Sequence, residues 1–160
     1  MNPTFLIVKW FWAFFIAASF FNVYKMKRKA ARQILAHPEL EEGYRAIIKG
    51  FAISTIIPWV IVGFGCLFGG MRSIFDVFQP RYGNPFVLAF HASIILETLL
   101  GTNWIVFCGG AEMLAKHPGI FNYDVRSPRK VTLLWFLGVA GTIFAEVMIF
   151  SGMFPPPPSF

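Results

Sequence analysis

The feature that most constrains this chain is a set of four long apolar runs separated by charge, at about residues 5–24, 50–70, 85–110 and 131–154. A helix needs roughly 20 apolar residues to cross the hydrocarbon core of a bilayer. The second run has no charged residue between Lys49 and Arg72, the third contains only Glu97, and the fourth only Glu146. With 56% hydrophobic residues and 14% charged, the 160-residue chain has too little charge to cover a soluble domain of its size. The expected fold is an all-α integral membrane protein with four transmembrane helices in one domain, residues 1–160.

Basic residues set the expected orientation, since Lys and Arg concentrate on the cytoplasmic side. Lys25, Lys27, Arg28, Lys29, Arg32, Arg45 and Lys49 flank the first connection, and Lys116, Arg126, Arg129 and Lys130 the third. Only Lys9, Arg72 and Arg81 fall on the other side, a split of 11 to 3. Both termini are therefore expected outside. The basic cluster follows the first apolar run, the reverse of a cleaved signal peptide, so that run is expected to stay as an anchor. The basic residues read as a topology signal facing anionic headgroups, and no nucleic-acid partner is expected. The setting expected is the inner (plasma) membrane of a bacterium.

The two halves, about residues 1–80 and 82–154, repeat several landmarks. Asn2-Pro3 matches Asn84-Pro85, and Leu35-Ala36-His37-Pro38 matches Leu114-Ala115-Lys116-His117-Pro118. Tyr44 matches Tyr123, and Phe68-Gly69-Gly70-Met71 matches Phe150-Ser151-Gly152-Met153, all at offsets between 79 and 82. This order predicts two tandem helical hairpins, a parallel internal repeat about an axis along the membrane normal. His37-Pro38 and His117-Pro118 then occupy equivalent cytoplasmic corners, where an imidazole can hydrogen-bond a carbonyl left free at a helix end. Residues 25–36 are expected to extend the first helix. Pro38 with Glu39, Glu41 and Glu42 is expected to start the second, and Ser127-Pro128 the fourth. The outer loop, residues 71–84, is expected to carry a short interfacial helix with Ile74, Phe75 and Phe78 on one side.

Ionisable residues inside a span are costly and mark candidate sites. Glu97 falls near mid-membrane. His91 and Glu146 fall at similar depth in neighbouring spans, so they are expected to be able to pair. His91 and Glu97 are six residues apart, about 240° around a helix, and do not share a face. No three or four ligating groups converge, so no metal site is expected. Cys66 and Cys108 fall near opposite membrane faces, which argues against a disulfide. A haem or quinone contact through His91 is a further reading, although a second haem ligand would have to come from another chain. Small residues at Gly65 and Gly69, Ala13 and Ala17, and Gly138, Gly141, Thr142 and Ala145 suit close helix packing.

No hydrolase, nucleotide-binding or redox-pair motif is present, and no catalytic activity is expected. The expected function is that of an accessory integral subunit that stabilises or assembles a larger membrane complex, in contact with lipids and other membrane subunits. The alternatives are a small cation or proton transporter or channel, and a redox subunit contacting haem or quinone. The C-terminal Pro155-Pro156-Pro157-Pro158-Ser159-Phe160 favours an extended polyproline rod. It is expected to dock on a partner, with Phe160 as anchor.

Overall fold

The computed structural model describes residues 3–120 and 125–154, with side chains from residue 7 onward. Asn2, Tyr123 and the segment Pro155, Pro156, Pro157, Pro158, Ser159 and Phe160 lie outside the described residues. Helices and turns make up the described chain, with no strand among those residues. In order they are α1 (Pro3–Ala36), a 3-10 turn (Pro38–Leu40), α2 (Glu41–Phe68), two 3-10 turns (Ile74–Phe78 and Pro80–Tyr82), α3 (Pro85–Phe107), α4 (Gly110–Lys116) and α5 (Pro128–Ser151). Helices α1, α2, α3 and α5 are long and apolar enough to cross a membrane, and the chain is read below as an integral membrane protein.

At 1.5 Å per residue the 34 residues of α1 span about 51 Å, well beyond a hydrocarbon core of about 30 Å. The excess is the basic stretch after residue 24, which continues the helix as its composition predicts. His37 leaves the helical region, at φ −139° and ψ 76°, because the residue before a proline is driven out of it. One 3-10 turn then leads into α2, whose first turn carries Glu41 and Glu42 at the positive end of the helix dipole. Pro58 lies buried inside α2.

The third and fourth spans depart from expectation in detail. Helix α3 stops at Phe107, and Gly109 takes a left-handed conformation (φ 72°) before the chain re-enters α4. Hence α1 runs unbroken into its corner, whereas its counterpart is interrupted. Trp104 packs over Gly110, where a Cβ would stand 2.6 Å from the indole. Helix α5 begins at Pro128, with Ser127 in the N-cap position but making no side-chain cap bond.

The long helices pack in sequence, α1 on α2, α2 on α3 and α3 on α5. No extensive interface joins α1 to α5 among the described residues, so the helices do not close around one shared core. The buried side chains form two clusters at opposite ends. At the loop end, Val62, Cys66, Met71, Ile74, Val87 and Phe90 come together. At the corner end, Met26, Ala30, Tyr44, Ile47, Ile48 and Ile120 do so. Helices α1 and α2 are joined by the stacked rings of Phe15 and Trp59 beside the loop-end cluster, 4.0 Å between centroids, and by Ser19 Oγ donating to the Thr55 carbonyl at 3.2 Å. Phe86 lies over Gly65 and Gly69, the close approach for which that glycine pair is suited.

The loop carries a short 3-10 helix over Ile74–Phe78, where a short helix was expected, but Ile74 and Phe75 do not share a face. It folds into two 3-10 turns, with Ile74 buried in the loop-end cluster and Phe75 exposed. Ser73 Oγ accepts from the Phe75 amide, and Asp76 accepts from the Arg72 amide at 2.7 Å. These short-range bonds tighten the chain into turns and direct Ile74 and Val77 inward.

Candidate functional site

At the loop end, His91 of α3 is almost fully enclosed, at 1% exposure. Its Nε2 lies 2.7 Å from the Val77 carbonyl, in the first loop turn. Its Nδ1 lies 2.8 Å from Glu146 Oε2 on α5. The two atoms lie at ion-pair distance, and neither has a hydrogen-bond partner among the described residues, so this is a close polar contact. Phe90 and Phe150 close over the ring edge-on, at 5.2 and 5.1 Å between centroids. One imidazole thus joins the loop, α3 and α5. With Nε2 bonded to the Val77 carbonyl and Nδ1 lying against Glu146, ligation of a haem iron would first have to displace one of these neighbours.

A neighbouring loop residue grips the end of α5. Arg81 Nε donates to the Phe150 carbonyl at 2.9 Å, and its Nη2 donates to the Ser151 carbonyl. The last carbonyls of a helix have no partner within it, and a guanidinium there also complements the helix dipole. Gly152 follows at φ 76°, and a Cβ on it would stand 2.6 Å from Arg81 Nη1. Gln79 Nε2 adds a bond to the Phe154 carbonyl at 3.3 Å.

Glu97 lies deeper on α3, partly buried, and its Oε1 is enclosed with no hydrogen-bond partner among the described residues. One turn further on, Trp135 of α5 lies against Gly101 and donates from Nε1 to Thr102 Oγ1 at 3.0 Å. Glu97 therefore falls between the two places where α3 touches α5. Gly138 and Gly141 of α5, at that level, have open space where a Cβ would project.

At the corner end, His117 and His37 occupy one end of the molecule but different environments. His117 is buried. Its Nδ1 lies 2.5 Å from the Met113 carbonyl and its Nε2 3.2 Å from the Leu40 carbonyl. Tyr44 meets the ring edge-on at 4.8 Å and donates its hydroxyl to the Pro118 carbonyl at 2.9 Å. Carbonyls only accept, so a neutral ring satisfies one of them and an imidazolium both. His37 is exposed and lies 3.3 Å from Glu39. Gln33, His37, Leu40, Lys116, Pro118 and Arg126 line a shallow pocket of about 320 Å³ between the corners.

No protein-family model, curated protein or solved structure matches the chain. The site therefore has to be read from its own geometry. His91 and Glu146, at matching depths in the sequence, come together, while Glu97 stands apart from both. Among the described residues no group of three His, Cys, Asp or Glu could hold a metal ion. Cys66 is buried, Cys108 is exposed, and both are free. Sequence reasoning missed Arg81 and Gly43. A Cβ on Gly43 would fall 2.0 Å from His117 Nε2. Arg81 carried one available signal, as a rare cation on the side poor in basic residues.

Proposed function

We propose that this chain is a non-catalytic integral membrane subunit that stabilises or assembles a larger membrane complex, with α5 as its docking helix. The observation that carries this reading is the state of α5. Its most apolar 18-residue stretch has no buried residue, and none of the described residues lies within 4 Å of a Cβ placed at Gly138 or Gly141. Small residues let a second helix approach closely in lipid, where packing and not the hydrophobic effect drives association. Glu97, with one enclosed oxygen that has no hydrogen-bond partner among the described residues, lies at the same level. By contrast, the intramembrane pair and the corner imidazole join the chain's own elements, which fits a scaffold better than a transport path.

The proposed arrangement is a parallel repeat of two hairpins in the plasma membrane of a bacterium, with both termini outside. The ordered sequence matches and the 11 to 3 split of basic residues support it.

A photoreactive amino acid placed at Gly138 or Gly141 in native membranes tests the docking role. The expected outcome is a covalent adduct with a second membrane-spanning polypeptide, together with comigration of the unmodified chain with that polypeptide on native gels. Adducts with lipid alone, and a chain that migrates by itself, would remove the reading.

A further inference from the structure

The apolar run of α1 ends at Tyr24, and four exposed residues share one stripe across that boundary. Phe21, Tyr24, Lys25 and Arg28 stand at i, i+3, i+4 and i+7, the spacing of a single helix face. Phe21 and Tyr24 are 61% and 56% exposed. The opposite face is the packed one, with Met26 and Ala30 buried in the corner-end cluster beside Tyr44, Ile47 and Ile48 of α2. Helix α1 packs mainly on α2, so the stripe stays open at the edge of the row of helices.

The two cations are held toward the span. Side chains on a helix slant toward its N-terminus, which at this end of α1 is the direction of the apolar run. Lys25 Nζ accordingly lies over the Phe21 ring, 5.6 Å from its centroid, and the Arg28 guanidinium over the Tyr24 ring at 5.9 Å. Both charges therefore sit at the level of the last aromatic residues of the run, where aromatic belts meet the lipid headgroups. Residues three apart differ by about 4.5 Å along a helix and about 60° around it, so one phosphate group can accept from both side chains. Among the described residues no carboxylate forms an ion pair with either cation. Lys27 is exposed as well, but lies about 110° round the helix from the middle of the stripe.

We infer that Lys25 and Arg28 form a binding site for the phosphate of an anionic phospholipid, with the Phe21 and Tyr24 rings against its glycerol and upper acyl chain. Basic groups next to a membrane span attract such headgroups. Here two cations on one face converge on one headgroup, while Lys27 stands outside the site. A lipid fits better than a soluble phosphate, because the stripe continues along the span to Phe14, seven residues before Phe21 and 60% exposed. That apolar half offers nothing to a free anion and suits an acyl chain. The inference rests on α1 being a membrane span and is independent of the subunit reading.

The full chain in neutral detergent micelles provides the test, with bound lipid counted by native mass spectrometry. Phosphatidylglycerol is expected to bind, and phosphatidylcholine with the same acyl chains and free glycerol phosphate to bind far more weakly. Lys25→Gln and Arg28→Gln should each weaken phosphatidylglycerol binding by about fivefold, the effect of one Lys or Arg at an anionic surface, whereas Lys27→Gln should change it by less than about twofold. All three side chains are exposed, so the fold should survive each change, and circular dichroism checks that it does. Equal losses in the three variants would indicate a diffuse basic surface and overturn the site. Phosphatidylcholine or glycerol phosphate binding the wild type as tightly as phosphatidylglycerol would overturn it without any variant.

Discussion

His91→Ala is expected to lower the stability of the detergent-solubilised protein by about 3 kcal/mol, the order reached when buried polar groups lose their partner and a cavity is left. Two effects of different size contribute. A hydrogen bond inside a membrane is individually modest, on average about 0.6 kcal/mol, so the lost bond to Val77 and the lost polar contact with Glu146 together contribute about 1 kcal/mol. The larger part is what remains behind: a carboxyl group and a backbone carbonyl enclosed without partners, and an imidazole-sized cavity beneath Phe90 and Phe150. Denaturant or thermal unfolding of the variant checks the total. The combined H91A/E146A protein should be no less stable than H91A, because it removes the stranded acid. A loss below about 0.5 kcal/mol in H91A would mean that the imidazole does not join the loop to α5.

Gly43→Ala is expected to destabilise the corner end by about 2 kcal/mol, against the usual sign for a glycine in a helix. In an open helical position, alanine is the better residue by about 0.5–1 kcal/mol. Here the added methyl would fall 2.0 Å from His117 Nε2. The ring would have to leave its place between the Met113 and Leu40 carbonyls, and Tyr44 would lose its edge-on neighbour. Overpacking of this kind costs roughly 1–3 kcal/mol and outweighs the gain in helix propensity. Gly50→Ala is the internal control, since nothing lies within 4 Å of a Cβ there, and it should stabilise slightly. Thermal unfolding of both variants, followed by circular dichroism, checks the pair. Equal and positive shifts would show that His117 does not depend on Gly43.

The four long helices were legible because length and charge spacing alone decide them. The meeting of His91 with Glu146 was legible as a matched depth. The rest depends on how distant segments dock. His37 and His117 share a dipeptide, yet only His117 is buried, because Gly43 opens a space beside it and Leu40 offers a carbonyl from the other corner. The break at Cys108–Gly109 is hidden inside an apolar run, where hydropathy carries no information on backbone conformation. Ile74 and Phe75 look alike in composition, and the Asp76 and Ser73 turn bonds decide which is buried. Arg81 acts on carbonyls some 70 residues away, a relation that no local pattern encodes.

Sidedness of the two ends tests the account most directly, because the corners, the loop and the docking helix all depend on it. Single cysteines at Leu35 and Tyr82, 86% and 74% exposed at the corner end and the loop end, are introduced after replacing Cys66 and Cys108. Intact cells are then treated with a membrane-impermeant maleimide. The account predicts labelling at position 82 in intact cells, and at position 35 only after the membrane is opened. Labelling of both positions from outside, or of position 35 alone, would contradict it.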